Sequence, residues 1–310
     1  ASRYEQVLKD IRLTINDLVN EKFFKTFTEL AHEQDIEVSH ESIAPTFPAD
    51  GLQHYQYADN PMGEYWLNSP THDKPNDMLD AVSGAHIYNK NIVQAEGFTE
   101  VRGVWNETPA MLKPMLDRNL ALGMNKLFFH VTAHNPWMDR KPGMTLDGIG
   151  LFFQRDNTWY PEARGFVDYI TLCQNYLQQG RPVVDIAVFT GEEIPSRSLT
   201  PDKLVPMLPG VFGAERVESE QKRMANEGIP MEESPVGVTH SANILDLKDW
   251  CNALHGYKYD SMNKDALLKW KAGSLTYRIL VVPQPQQLLS AEVKAKIEEL
   301  RQEGVLIIDA

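Results

Sequence analysis

An α/β fold with parallel strands is predicted by three features of the sequence. Short apolar segments of strand length alternate with segments of helical periodicity. The connections between successive strands are long enough to carry crossover helices. Polar and aromatic residues collect directly after the strands, where parallel α/β folds hold their sites.

The elements follow in order. Tyr4, Leu8, Ile11, Ile15 and Leu18 recur at helical spacing, and Phe23, Phe24, Phe27 and Leu30 continue an apolar face, so one long helix or two run to about Asp35. Residues 36–42 read as a short strand, after which Pro45, Pro48, Asp50 and Gly51 open a long loop reaching to about Pro75. A loop that long usually serves a site. Met78, Leu79, Val82 and Ala85 mark the next helix, 91–98 a strand, 109–122 a helix and 126–132 a strand. A second loop, rich in Pro, Gly, Asn and Trp, spans about 133–157, and the helix predicted at 161–179 stops at Gly180. The strand at 182–190 is nearly continuous in apolar residues. Helices follow near 215–226 and 247–254, then a strand at 277–283, a helix at 291–302 and a strand at 305–309. A boundary near Gly180 divides the chain into residues 1–180 and 181–310.

Composition narrows the function classes. The 310 residues carry a net charge of −13, which disfavours a broad nucleic-acid interface. Hydrophobic residues make up 42% and charged residues 24%, the balance of a globular chain, and no apolar run approaches the ~20 residues of a membrane span. No signal peptide is visible in residues 1–10. Cys173 and Cys251 form no CxxC pair, so neither a disulfide scaffold nor a thiolate zinc site is written here.

The candidate chemistry lies at the strand ends. Glu41 follows the first strand, Glu96 and Thr99 close the second, and His130 and His134 close the third; Glu64 stands between a glycine and two aromatics in 59–66. Two carboxylates facing one cleft are what glycoside hydrolysis requires, one to protonate the departing oxygen and one to activate water or attack the sugar carbon. The structural alternative for each is a carboxylate capping a loop amide or pairing with an arginine. His130 and His134 are four apart, but no glutamate follows His130 and the segment reads as strand then loop, which speaks against a helical zinc-protease motif. They either donate to substrate hydroxyls or satisfy nearby backbone. Trp66, Trp137, Trp159 and Tyr160 sit in the two long loops, where a ring either stacks on a sugar or anchors its loop. Residues 208–213, LPGVFG, match no phosphate-binding fingerprint.

Taken together, these segments resemble glycoside hydrolase family 106, the α-L-rhamnosidases. The stretches that carry the likeness are DNPMGEYW at 59–66, AHIYNKNIVQAEGFT at 85–99, FHVTAHNPW at 129–137, PGMT at 142–145, RDNTWY at 155–160 and CQNYLQQG at 173–180, with GYKYD at 256–260 and YRILVVP at 277–283 further on. The resemblance implies the later part of a (β/α)8-type (TIM) barrel over 1–180, then a flavodoxin-like or glutamine-amidotransferase-like α/β domain over 181–310. It implies inverting removal of terminal α-L-rhamnosyl groups, with Glu64 and Glu96 catalytic and Glu41, Trp66, His130, His134, Trp137, Asn157 and Trp159 around the sugar. Calcium touching the sugar hydroxyls is a further implication, without assigned ligands. So is a secreted or periplasmic location, from the substrate class. The chain departs from the family at Tyr160, where a second tryptophan is expected, and at Gly97, where alanine is usual. Family members are much longer, so an interior portion lacking the first part of the barrel is implied. Two alternatives remain: a glycosidase of other sugar specificity on the same plan, or a carbohydrate-binding portion that is catalytically incomplete.

Overall fold

The computed structural model describes residues 3–41, 48–67, 75–100, 105–146, 149–200, the positions 203–204, 207–208, 214–215 and 218, and residues 258–309. The helices expected at 215–226 and 247–254 lie outside these residues apart from isolated positions.

Among the described residues, two four-stranded parallel sheets organise the chain. The first runs in chain order, β1 (Ser39–Glu41), β2 (Asn60–Trp66), β3 (Gln94–Thr99), β4 (Lys126–Phe129). The second joins β5 (Ile186–Phe189), β6 (Tyr259–Met262), β7 (Ile279–Val282) and β8 (Leu306–Asp309) in the order β6-β5-β7-β8. Helix α3 (Pro75–Ile87) connects β2 to β3, α4 (Pro109–Leu122) connects β3 to β4, and α5 (Ala163–Leu177) follows β4. The short α6 (Lys264–Lys269) follows β6, and α7 (Ala291–Gln302) connects β7 to β8. Asn263 and Ser290 begin α6 and α7 by accepting bonds from the Ala266 and Val293 amides. No described helix is long and apolar enough to cross a membrane.

The long loop expected from about 45 to 75 contains β2, which sequence reading missed. Pro61, Gly63 and Glu64 give this segment weak strand propensity. Gly63 is required by packing: a Cβ there would stand 2.5 Å from the Asp77 carbonyl oxygen, so only glycine lets α3 lie down on the strand. On that side of the sheet Tyr65, Ala95, Leu112, Leu116 and Phe166 build one core.

The opening helix also departs from expectation. α1 (Arg3–Asp17), a π-helical stretch (Leu18–Phe24) and α2 (Lys25–His32) run on continuously, but the apolar stripe faces outward, with Tyr4, Ile11, Leu18, Phe23 and Leu30 exposed. The face packed inward is mainly polar, with Phe24 lying against the buried His40 and His54 rings. Asn16 donates to Gln53 and accepts from the Asp50 amide, Asn20 donates to the Asn16 carbonyl, and Thr28 lies beside His40. Amphipathic periodicity identifies a helix; hydrogen bonding selected the face.

Helix α3 ties the two sheets together. Met78, Ala81, Val82 and Ala85 join the core of the first sheet, while Ile87 joins a core of the second. Ser83 Oγ accepts from the Ser261 amide of β6, and His86 bonds Asp260 at 2.7 Å. Arg197 donates to both Asp77 and Asp80, two carboxylates with no solvent exposure. No residue from 76 to 87 is exposed.

Candidate functional site

Strand register places the carboxylates. Glu41 pairs with Met62, Glu64 with Glu96, and Glu96 with Phe128, so alternation puts Glu41, Glu64 and Glu96 on one face, opposite the helices. Ser39 and Gln94 share that face and hydrogen-bond across β2 at 2.8 Å. Neither was singled out in the sequence, although two-residue alternation from Glu41 and Glu96 would have found them.

A bulge shapes the upper end of β3. Tyr65 pairs with Gly97 but Trp66 pairs with Thr99, leaving Phe98 as the extra residue, at φ 67°. Phe98 thereby turns into the apolar core against Tyr65, Phe129 and Phe166. Thr99 comes round to the polar face, where its hydroxyl donates to Glu96 Oε1. One residue out of register thus supplies both a core aromatic and a hydrogen-bond donor to the site.

Glu41, Glu64 and Glu96 each bring an oxygen within 4.8 Å of the other two. Glu64 is buried, Glu41 half-buried, and the Glu96 side chain is 22% exposed. Burial, and then the charges of Glu96, Glu64 and Asp77, push the Glu41 carboxyl up to about 8. Glu41 Oε1 is buried with no hydrogen-bond partner among the described residues. His130, just past β4, places Nδ1 3.7 Å from Glu96 Oε1. Trp66 lies on the same face, two residues beyond Glu64.

The remaining expected residues make contacts of their own. Asn157 is buried and donates to the Phe152 carbonyl, pinning its own loop. Trp159 donates from Nε1 to the Glu107 carbonyl and packs on Phe153, the anchoring alternative for that ring. Trp137 is exposed beneath the Arg140 guanidinium, and its carbonyl accepts from Arg155. His134 is exposed; of the two histidines, His130 is the one beside the carboxylates.

Three oxygen donors crowded at strand ends, one of them orphaned, match what a hard divalent cation requires. Glu64 and Glu96, opposite each other on neighbouring strands, bring one oxygen each within 4.8 Å.

Known proteins share this chain's pattern. A family model described as Glyco_hydro_106, alpha-L-rhamnosidase, matches residues 1–226. A protein of Formosa agariphila named a putative beta-glucuronidase is 34% identical over 265 residues, 84% of this chain and 22% of its own length. The solved structure of a rhamnosidase from Novosphingobium sp. PP1Y superposes with a TM-score of 0.71 at 28% identity, covering 96% of this chain and 25% of that one. The chain thus spans about a quarter of the length of the relatives it matches.

Proposed function

The chain belongs to the α-L-rhamnosidase family of glycoside hydrolases, and from that premise we propose that Glu41, Glu64 and Glu96 mark the sugar site of an enzyme releasing terminal α-L-rhamnosyl groups. The observation that carries the reading is the meeting of three carboxylates at the ends of parallel strands, on the face turned away from the helices. In this reading β1–β4 belong to a (β/α)8 barrel, and the order of the second sheet, its second strand lying outside its first, is the flavodoxin-like order. A polysaccharide or glycoside bearing rhamnose places the enzyme outside the cytoplasm, secreted or periplasmic.

Glu96 is the base. Thr99 fixes one of its oxygens by donation, and His130 stands beside the same oxygen. Oriented this way, the carboxylate takes the proton of a water attacking the anomeric carbon. Glu64, opposite Glu96 on the neighbouring strand, is the carboxylic acid that protonates the departing oxygen. Glu41, with Glu64 and Glu96 beside it, would hold calcium, which supplies positive charge for sugar hydroxyls to coordinate. The orphaned Glu41 oxygen is the donor that fits this role. Trp66 supplies a flat ring beside the carboxylates for the sugar's C–H face.

Calorimetry on the full chain tests the reading. Calcium should bind saturably, and rhamnose only after it; Glu41→Gln should remove both signals. Hydrolysis of an aryl α-L-rhamnoside should fall by about 10²–10⁴ in Glu96→Gln. Calcium binding untouched by Glu41→Gln would remove the cluster from consideration. A second reading is retention through a glutamate nucleophile, and proton NMR of the first-formed anomer separates the two.

A further inference from the structure

A second polar cluster lies at the opposite ends of the strands. His86 and Lys90 precede β3, Arg181 precedes β5, and Thr276 and Tyr277 precede β7; together they line a cleft of about 520 Å³ between the two halves of the chain. A neighbouring cleft of about 380 Å³ shares His86, Lys90 and Arg181 and adds Lys258.

The His86 side chain is only 7% exposed, and its Nδ1 lies 2.7 Å from Asp260 Oδ2. The Tyr277 hydroxyl donates to the same oxygen at 2.8 Å. A carboxylate so held fixes the imidazole with its proton on Nδ1 and leaves Nε2 as the ring's other polar atom in a residue that lines both clefts. Arg181 is steadied from one side, donating to Asn89 Oδ1 at 2.7 Å. Among the described residues neither Arg181, Lys90 nor Lys258 has a carboxylate within ion-pair distance, in a chain of net charge −13. Asp260, beneath His86, attracts Lys258, but Arg181, Lys90 and Lys258 form no ion pair among the described residues, so this lining suits an oxyanion; Thr276 and Asn91, which bond the Val184 and Gln178 carbonyls, keep further polar atoms for a hydroxylated ligand.

We propose that this cleft binds an acidic sugar, a hydroxylated ring bearing one carboxylate. The carboxylate lies against Arg181 and Lys90, while ring hydroxyls meet His86 Nε2 and Asn91. The site is independent of Glu41, Glu64 and Glu96, which stand at the other ends of the strands.

Calorimetric titration of the full chain with glucuronate, rhamnose and inorganic sulfate, all with a calcium chelator present, tests it. Glucuronate should bind at least about tenfold more tightly than either rhamnose or sulfate, and Arg181→Gln and Lys90→Gln should each weaken it about tenfold, the loss of one charge-assisted bond. Arg181 is exposed, so its variant reports on binding rather than folding. The His86 ring signals should shift on glucuronate addition. Sulfate binding as tightly as glucuronate would reduce the cleft to a bare anion site and overturn the proposal. So would equal binding of rhamnose, absent glucuronate binding, or unchanged affinity in both variants.

Discussion

The two sheets have the same strand count among the described residues and the same parallel sense but use their faces differently. In the second, Ala187, Phe189, Leu280 and Val282 enter one core while Ile186, Val188 and Val281 enter another on the opposite side. Both faces are apolar, as expected of a parallel sheet covered on both sides. In the first, Tyr65 and Ala95 pack under the helices while Ser39, Glu41, Glu64, Gln94 and Glu96 occupy the reverse face. The second sheet buries a charge only where it is fully bonded, at Asp260 between His86 and Tyr277, while the first gives one face to packing and keeps the other for chemistry.

Three measurements can break or sharpen this contrast. The largest effect is expected from Leu280→Ala, a fully buried position on the second sheet, at about 2–5 kcal/mol of unfolding free energy in urea. Gln94→Ala on the polar face of the first sheet should cost under about 1.5 kcal/mol, the scale of one hydrogen bond. Equal losses at the two positions would erase the distinction.

Next in size is a pH effect confined to the first sheet. Glu41 keeps its proton in the folded chain to about pH 8, against an ordinary carboxyl value of 4.5. Between those values the unfolded chain has released the proton and the folded chain has not. Stability from this group is therefore complete below 4.5 and declines as pH rises through 8. Melting temperature with chelator should fall across that window and fall less in Glu41→Gln, whereas parallel slopes would show that the cluster is not electrostatically crowded. The smallest effect is Thr99→Val, which removes the donor to Glu96 and should weaken rhamnoside turnover about tenfold with little change in melting temperature. Undiminished turnover would leave the bulge with a packing role only.

Much of this was legible in the sequence, for identifiable reasons. Helices α4, α5 and α7 and strands β3, β5 and β7 have strong periodicity or continuous apolar runs. Glu41, Glu64 and Glu96 could be singled out because a core does not require charges at strand ends. Strand β6 was missed because its Asp260 and Ser261 read as loop residues; they are buried only because His86, Tyr277 and Ser83 complete their hydrogen bonds. No local pattern records a partner about 175 positions away. The spacing of the carboxylates was equally hidden, since a register of strands, and not of sequence, sets it. Trp159 and Asn157 were ambiguous for the opposite reason: a loop anchor and a sugar contact use the same residue types.

Helix α3 carries a historical consequence. With one side on β2, the other on β6, and Arg197 clamped on two of its carboxylates, it belongs to both sheets at once. Modules that recombine freely are joined by tethers whose surfaces tolerate a new neighbour, and this helix has none to offer. Shuffling either sheet onto a foreign partner would bare a stripe of methyl groups and leave two carboxylates without their arginine. The pair is therefore expected to be inherited as one piece.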